Sequence, residues 1–383
     1  MIEDCMFKCP CIDAANGPPS RVKFALLFEG TMNDESNPSV ITRLSNMLCD
    51  IREQRKHIVS GSGTRGGRLQ KWICGITGWD TYQIVFEQFR WLTREASRLC
   101  LQPSQIDLYL FGFSRGAYQA RLFAEMVSTM GIPPDESCCK CVVTRFAIGR
   151  LCGWFKKRTG FGTPVVKYLG VIDTVRSVLF WLTGFKLPQV PSGTHVRHAL
   201  AKHEARLFFR MLIIYDTETT EQRFFLGSHG DVGWSYNGPR GTKSLGEIAL
   251  RWILEGLNGD LKFMYLPPDP IASAGLKLMF VRYMWWIMHE SGRSFTNGFG
   301  IIPLRSRKQN GVKLHSTARM VRDVVKNFHL FEKEEGLWIR QSLGRQLTWF
   351  WRFLRLKEDR EIVSRRMEKH RPAIINFIVS KGY

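Results

Sequence analysis

Acidic residues are scarce in this chain: 34 aspartates and glutamates stand against 55 lysines and arginines, for a formal net charge of +21 over 383 residues. An excess of that size points to an anionic partner, either nucleic-acid phosphate or anionic lipid headgroups. Long apolar runs are also missing. None reaches the roughly 18 residues that a membrane-crossing helix needs, so no spanning helix is expected. The most apolar stretch, residues 276–288, is interrupted by Lys277 and Arg282 and reads as a buried helix or a membrane-surface element. The start, Met1-Ile2-Glu3-Asp4-Cys5, has neither a basic segment nor an apolar one, so a cleaved secretory signal is not expected. There is no internal repeat and no zinc-finger, homeodomain or RNA-recognition pattern, so nucleic acid is not the expected partner despite the charge. The ten cysteines are scattered except for Cys5/Cys9/Cys11 and Cys138/Cys139/Cys141, and neither cluster has a histidine at finger-like spacing. No metal site is expected from them, and reduced thiols in a cytoplasmic chain are the expectation.

What is present is a globular composition, with 44% hydrophobic and 23% charged residues, enough to bury a sizeable core. Residues 1–20 end in Asn16-Gly17-Pro18-Pro19-Ser20, which is loop chemistry. Val22-Lys23-Phe24-Ala25-Leu26-Leu27-Phe28 reads as a largely buried strand stopped by Gly30, and a short strand is predicted at residues 57–60. Residues 80–101 carry helical periodicity through Ile84, Phe86, Phe89, Trp91 and Leu92. A strand at 106–111, a helix at 117–130 and a strand at 167–172 follow. After them come apolar runs at 207–215 and 224–226 and a helix at 245–257. Strands alternating with helices imply an α/β fold, a mainly parallel sheet with helices on both faces. Pro267-Pro268-Asp269-Pro270 is the best boundary signal. The expected organisation is an N-terminal loop segment (1–20), an α/β catalytic domain (21–266) and a basic, aromatic, helical extension (267–383).

The chemistry centres on Gly112-Phe113-Ser114-Arg115-Gly116. A strand running into Gly-x-Ser-x-Gly and then a helix is the context in which a sharp turn lifts a serine hydroxyl clear of the backbone. The helix start supplies amides and a positive dipole end near a developing oxyanion, with the Arg115 N–H as first donor. A serine needs a base, and the base needs an orienting acid. In this type of fold the chain order is serine, acid, histidine. Asp173 closes the predicted strand at 167–172, and His229 follows Phe224-Phe225-Leu226-Gly227-Ser228, so both stand in order. Asp231 and His315 are the reserve acid and base. The second oxyanion donor is expected in the loop Phe28-Glu29-Gly30-Thr31, from Gly30 or Thr31.

With these residues in view, the chain resembles an α/β-hydrolase family, formerly uncharacterised, that includes the catalytic domain of type VI secretion lipase effectors. The segments that carry the resemblance are Phe28-Glu29-Gly30-Thr31-Met32-Asn33, Ser60-Gly61-Ser62-Gly63-Thr64, Gly112-Phe113-Ser114-Arg115-Gly116-Ala117, Gly170-Val171-Ile172-Asp173-Thr174-Val175, His198-Ala199-Leu200-Ala201 and Gly227-Ser228-His229-Gly230-Asp231-Val232-Gly233. Weaker matches are Leu245-Gly246-Glu247-Ile248-Ala249-Leu250-Arg251-Trp252 and Leu314-His315-Ser316, so the likeness spans about residues 22–320. The resemblance implies a Ser-Asp-His hydrolase of phospholipids or related esters, built on Ser114, Asp173 and His229 and needing no cofactor. Glu29 stands where the family usually has Asp.

The expected function is therefore a serine esterase of phospholipase type acting on a lipid or other ester. An anionic membrane surface is an expected partner through residues 340–383, where Arg and Lys alternate with Trp349, Phe350, Trp351 and Phe353. The expected place is the cytoplasm, a membrane surface, or delivery as an effector without a signal peptide. The alternative is a hydrolase-fold binding or scaffold protein with impaired catalysis.

Overall fold

The computed structural model of the chain describes residues 20–31, 33, 38–64, 80–152, 161–175, 187–202, 204, 209, 211–215, 218–234, 243–267, 312–331 and 369–382. The strands are β1 (Val22–Phe28), β2 (Gln54–Val59), β3 (Ile106–Phe113), β4 (Val165–Ile172), β5 (His195–Ala201), β6 (Thr220–Phe225) and β7 (Lys313–Leu314). The helices are α1 (Val40–Met47), α2 (Thr81–Arg98), α3 (Arg115–Met130), α4 (Cys139–Cys152), α5 (His229–Val232), α6 (Lys243–Glu255), α7 (Ser316–Phe331) and α8 (Arg371–Ser380). The seven strands lie in the order β2-β1-β3-β4-β5-β6-β7. The pairs β2/β1, β1/β3, β3/β4 and β4/β5 are all parallel. Parallel neighbours need a crossover between them, and the helices that make the crossovers cover the sheet faces. This is an α/β-hydrolase-like fold with a helical C-terminal extension.

The chain divides into two compact units: residues 1–201, 206–223 and 229–267 form one, and residues 202–205, 224–228 and 268–383 form the other. In the first unit, side chains alternate between faces along each strand, so β1 shows how both faces are used. Val22, Phe24, Leu26 and Phe28 pack with Ile84, Phe89 and Leu92 of α2 and with Leu122, Phe123 and Val127 of α3. Ala25 and Leu27 point to the opposite face and are also fully buried. Burial on both faces is why β1 and β3 read in sequence as near-continuous apolar runs. In the second unit, α7 and α8 pack together, with Ala318, Val321 and Val324 of α7 and Ile374 and Ile378 of α8 buried.

Several elements differ from their sequence-based expectation. β2 begins three residues earlier than predicted, at Gln54, and α4 and α1 were not anticipated. The run 207–215 forms no strand among its described residues. Among them, Met211 forms an isolated antiparallel bridge with Val175. Cys100 is disulfide-bonded, so the expectation of reduced thiols fails there. Cys138, Cys139 and Cys141 are free thiols. Burial pushes the Cys139 thiol up to about 11, although its contact with Thr93 acts the other way. No helix among the described residues is long and apolar enough to cross a membrane. The apolar stretch 276–288, the cluster Cys5/Cys9/Cys11 and the basic aromatic run 349–356 lie outside the described residues.

Candidate active site

Every residue of β3 is buried, and the strand ends at Phe113 with an abrupt change of backbone direction. Ser114 has φ 60° and ψ −124°, and α3 starts at the next residue. That conformation is sparsely populated for a side-chain-bearing residue and persists only where surrounding contacts impose it. Here the Ser114 amide donates to the Ile172 carbonyl at 2.9 Å, and the Ser114 carbonyl accepts from the Val175 amide at 3.3 Å. The flanking glycines make the turn sterically possible. A Cβ on Gly112 would lie 2.5 Å from the Gly116 carbonyl oxygen, and one on Gly116 would lie 2.2 Å from that of Phe28. Neither approach leaves room for a side chain.

Asp173 follows β4 and also takes a left-handed conformation, with φ 41°. Its amide donates to the Ala199 carbonyl at 2.7 Å, and its Oδ1 accepts the Ala201 amide at 2.9 Å, so β5 fixes the carboxylate from the side. The remaining oxygen, Oδ2, lies 2.7 Å from Nδ1 of His229, the first residue of α5. His229 Nε2 in turn lies 2.7 Å from Ser114 Oγ. A carboxylate only accepts, so the imidazole proton sits on Nδ1 and Nε2 is left to accept the serine hydroxyl proton. The imidazole is held between two aromatic rings: Phe113 is stacked at 4.6 Å, and Phe209 meets it edge-on at 4.9 Å. Ser114, Asp173 and His229 are all buried.

The loop after β1 adjoins this turn. The Arg115 guanidinium Nε donates to the Thr31 hydroxyl, tying the loop to the residue after the serine. Glu29 is buried, and its carboxylate accepts four hydrogen bonds. They come from the Gly30 amide (3.0 Å), the Ser39 hydroxyl (2.6 Å), the Thr42 amide (2.7 Å) and the Thr42 hydroxyl. Burial raises the Glu29 pKa above the ordinary carboxylate range, and the hydrogen bonds from Ser39, Thr42 and Gly30 oppose that rise. Ser39 also caps α1 by accepting the Ile41 amide. Glu29 thus fastens the end of β1 to the first turn of α1, and the Gly30 amide is spent on it.

The structure brings Ser114, Asp173 and His229 into one hydrogen-bonded chain and sets Thr31 against Arg115. Asp231 lies on α5, where its carbonyl accepts the Trp234 amide at 3.2 Å, while Asp173 occupies His229 Nδ1. His315 belongs to the second unit, where its ring stacks on Phe225 at 4.5 Å and Nδ1 lies 3.0 Å from the Thr317 hydroxyl. Sequence reasoning missed the aromatic clamp and the buried His198. The only signals for them were the apolar run that contains Phe209 and the segment His198-Ala199-Leu200-Ala201.

Among curated proteins there is no match to the chain. Solved structures give distant likenesses. An uncharacterized protein from Pseudomonas aeruginosa is 15% identical over 94% of this chain and 62% of its own, with a TM-score of 0.43. The chain therefore spans less than two thirds of that protein. A Tle1 effector bound to the VgrG spike of the type 6 secretion system is 17% identical over 86% of this chain and 83% of its own, with a TM-score of 0.42. An esterase from Thermogutta terrifontis is 13% identical over 65% of this chain and 88% of its own, with a TM-score of 0.34. The family model described as "T6SS, Phospholipase effector Tle1-like, catalytic domain" matches residues 23–147 and 151–256, which together exceed half of the chain. The chain belongs to the family of Tle1-like phospholipase effector catalytic domains of type VI secretion.

Proposed function

We propose that the chain is a serine hydrolase that cleaves carboxylic esters in phospholipids. The observation that carries the reading is the continuous chain from Ser114 Oγ through His229 to Asp173, with both links at 2.7 Å. Ser114 Oγ attacks the acyl carbonyl while His229 Nε2 takes its proton, and Asp173 stabilises the imidazolium that forms. The oxyanion is received at the start of α3 by the Arg115 amide, with Thr31 as the donor from the β1 loop, because Gly30 already serves Glu29. Collapse breaks the ester bond, and His229 returns the proton to the leaving alcohol. Water then attacks the acyl-serine, giving its proton to His229, and the fatty acid leaves as Ser114 recovers its hydrogen. Phospholipid is assigned as the substrate class on family membership. Delivery as an effector rests on the same membership, and docking of residues 340–383 on anionic lipid rests on their charge and aromatic content.

The occupied Gly30 amide favours a second reading, a binding protein on a hydrolase fold. Hydrolysis of p-nitrophenyl butyrate and of phospholipid vesicles by the wild type and by Ser114→Ala decides between them. Turnover in the wild type that disappears in the variant, with phospholipid the better substrate, supports the proposal. A folded wild type inert to both substrates contradicts it and leaves the binding reading.

A further inference from the structure

Behind the Asp173 turn lies a buried histidine that the proposed chemistry does not use. His198 in β5 is fully buried. Its Nε2 lies 3.2 Å from the Thr174 amide nitrogen and 3.1 Å from the Thr174 hydroxyl, and its Nδ1 lies 3.1 Å from Gln222 Oε1. A backbone N–H can only donate, so Nε2 presents its lone pair to Thr174 and the ring proton resides on Nδ1, donated to Gln222. The Gln222 amide has one orientation for the same reason. Its Oε1 accepts the Ile214 amide at 2.8 Å, and its Nε2 donates to the Ile214 carbonyl at 2.8 Å. Donors and acceptors in this chain therefore fix His198 as a neutral imidazole in a single tautomer.

Thr174 directly follows Asp173, whose φ of 41° needs outside support. The Asp173 amide is held by Ala199 and the Val175 amide by Ser114, both through backbone carbonyls. Between them, the Thr174 amide is held by a side chain, that of His198. The Thr174 carbonyl accepts the Leu212 amide at 3.0 Å, so the turn is pinned from both sides. Losing the His198 acceptor would leave the Thr174 N–H unsatisfied beside the strained residue.

We propose that His198 is a positioning residue, whose neutral imidazole holds the Thr174 amide and so keeps the left-handed turn that aims Asp173 at His229. The inference rests on the serine-hydrolase reading above, since it assigns His198 a role through Asp173. It also gives a use to the segment His198-Ala199-Leu200-Ala201: one end carries the acceptor for Thr174, and the other carries the Ala201 amide that binds Asp173 Oδ1.

The test uses the full chain and measures kcat and KM for p-nitrophenyl butyrate across pH, with active sites counted by a fluorophosphonate. In His198→Leu, kcat falls about 10- to 100-fold, by analogy with the loss of outer-shell partners that orient metal-bound histidines. KM stays within about twofold, because substrate binding is untouched. The acid limb of kcat/KM moves to lower pH, since the carboxylate that favours the His229 imidazolium is no longer held against it. His198→Gln, whose side-chain oxygen reaches the place of Nε2, recovers most of the loss. A merely structural defect would reduce the number of titrated sites and leave the pH limb alone. An unchanged kcat and limb in His198→Leu, or a His198→Gln no better than Leu, overturns the inference. If His198→Leu does not fold, Gln222→Leu decides: it must lower kcat and move the limb in the same direction, and a wild-type profile overturns the proposal. A wild type that neither hydrolyses the ester nor reacts with the fluorophosphonate sinks the hydrolase reading itself, and this inference falls with it.

Discussion

Strand β3 and the turn that ends it are neighbours in sequence, yet opposite rules govern them. Along β3 local preference and fold mostly agree: apart from Asp107, which accepts from Arg21, and Gly112, the residues are apolar, and the strand is extended and buried between its parallel neighbours β1 and β4. From Ser114 onward the rules are broken. A serine and an aspartate sit at φ 60° and 41°, and buried polar groups gather nearby: Glu29, Asp173 and His229 beyond strand ends and His198 within β5. Such conformations and burials cost stability, and they persist because the obedient part of the sheet holds them. The strand therefore carries the stability and the turn the proposed chemistry, so substitutions in the two should separate the properties.

The largest effect is expected at the turn. Asp173→Asn should lower kcat about 10⁴-fold, because the amide no longer fixes the imidazole proton on Nδ1. Its melting temperature should stay near that of the wild type, as calorimetry would show; a large joint loss of stability would break the separation. A smaller but opposite change belongs to the strand. Leu110→Ala removes a fully buried side chain and should cost about 2–5 kcal/mol in urea unfolding. The activity per titrated site should remain, and a fall in kcat for the folded enzyme would show that strand and turn are not independent.

The smallest effect lies away from the site, on β2. His57 stacks on Trp91 at 4.5 Å with its Nδ1 2.8 Å from Gln88 Oε1, and burial lowers its pKa below the ordinary 6.5. The unfolded chain takes up this proton near pH 6.5 while the folded chain resists it. The stabilisation is therefore complete above that pH and is lost as pH falls through it toward the lowered folded value. His57→Phe keeps a ring on Trp91 and cannot be protonated. Its melting temperature should decline less steeply below pH 6.5 than that of the wild type. Equal slopes would remove His57 from the acid sensitivity of the fold.

What could be read from sequence follows the same division. β1, β3 and β4 were legible because double burial writes itself as an apolar run, and Ser114 because its Gly-x-Ser-x-Gly pattern lies between a strand and a helix that adjoin in sequence. Asp173 and His229 were legible only as an order after strands; their meeting depends on β4, β5 and β6 lying side by side in the sheet. The occupied Gly30 amide was not legible, since it depends on how far the Glu29 side chain reaches toward Ser39 and Thr42. The fate of the run at 207–215 was hidden for a similar reason. Among its described residues, the Leu212 amide donates to the Thr174 carbonyl, Ile214 is bound through the Gln222 side-chain amide, and the Arg121 guanidinium donates to the Leu212 carbonyl at 3.0 Å. Nothing local distinguishes such a segment from a strand.

The central claim is that Ser114 is an activated nucleophile. Its most direct test is intact-mass analysis of the full chain after incubation with a fluorophosphonate, followed by peptide mapping. A single adduct on Ser114, absent from Ser114→Ala and slowed in Asp173→Asn, is the predicted result. A folded chain that takes up no adduct, or takes it up at another residue, would contradict the account.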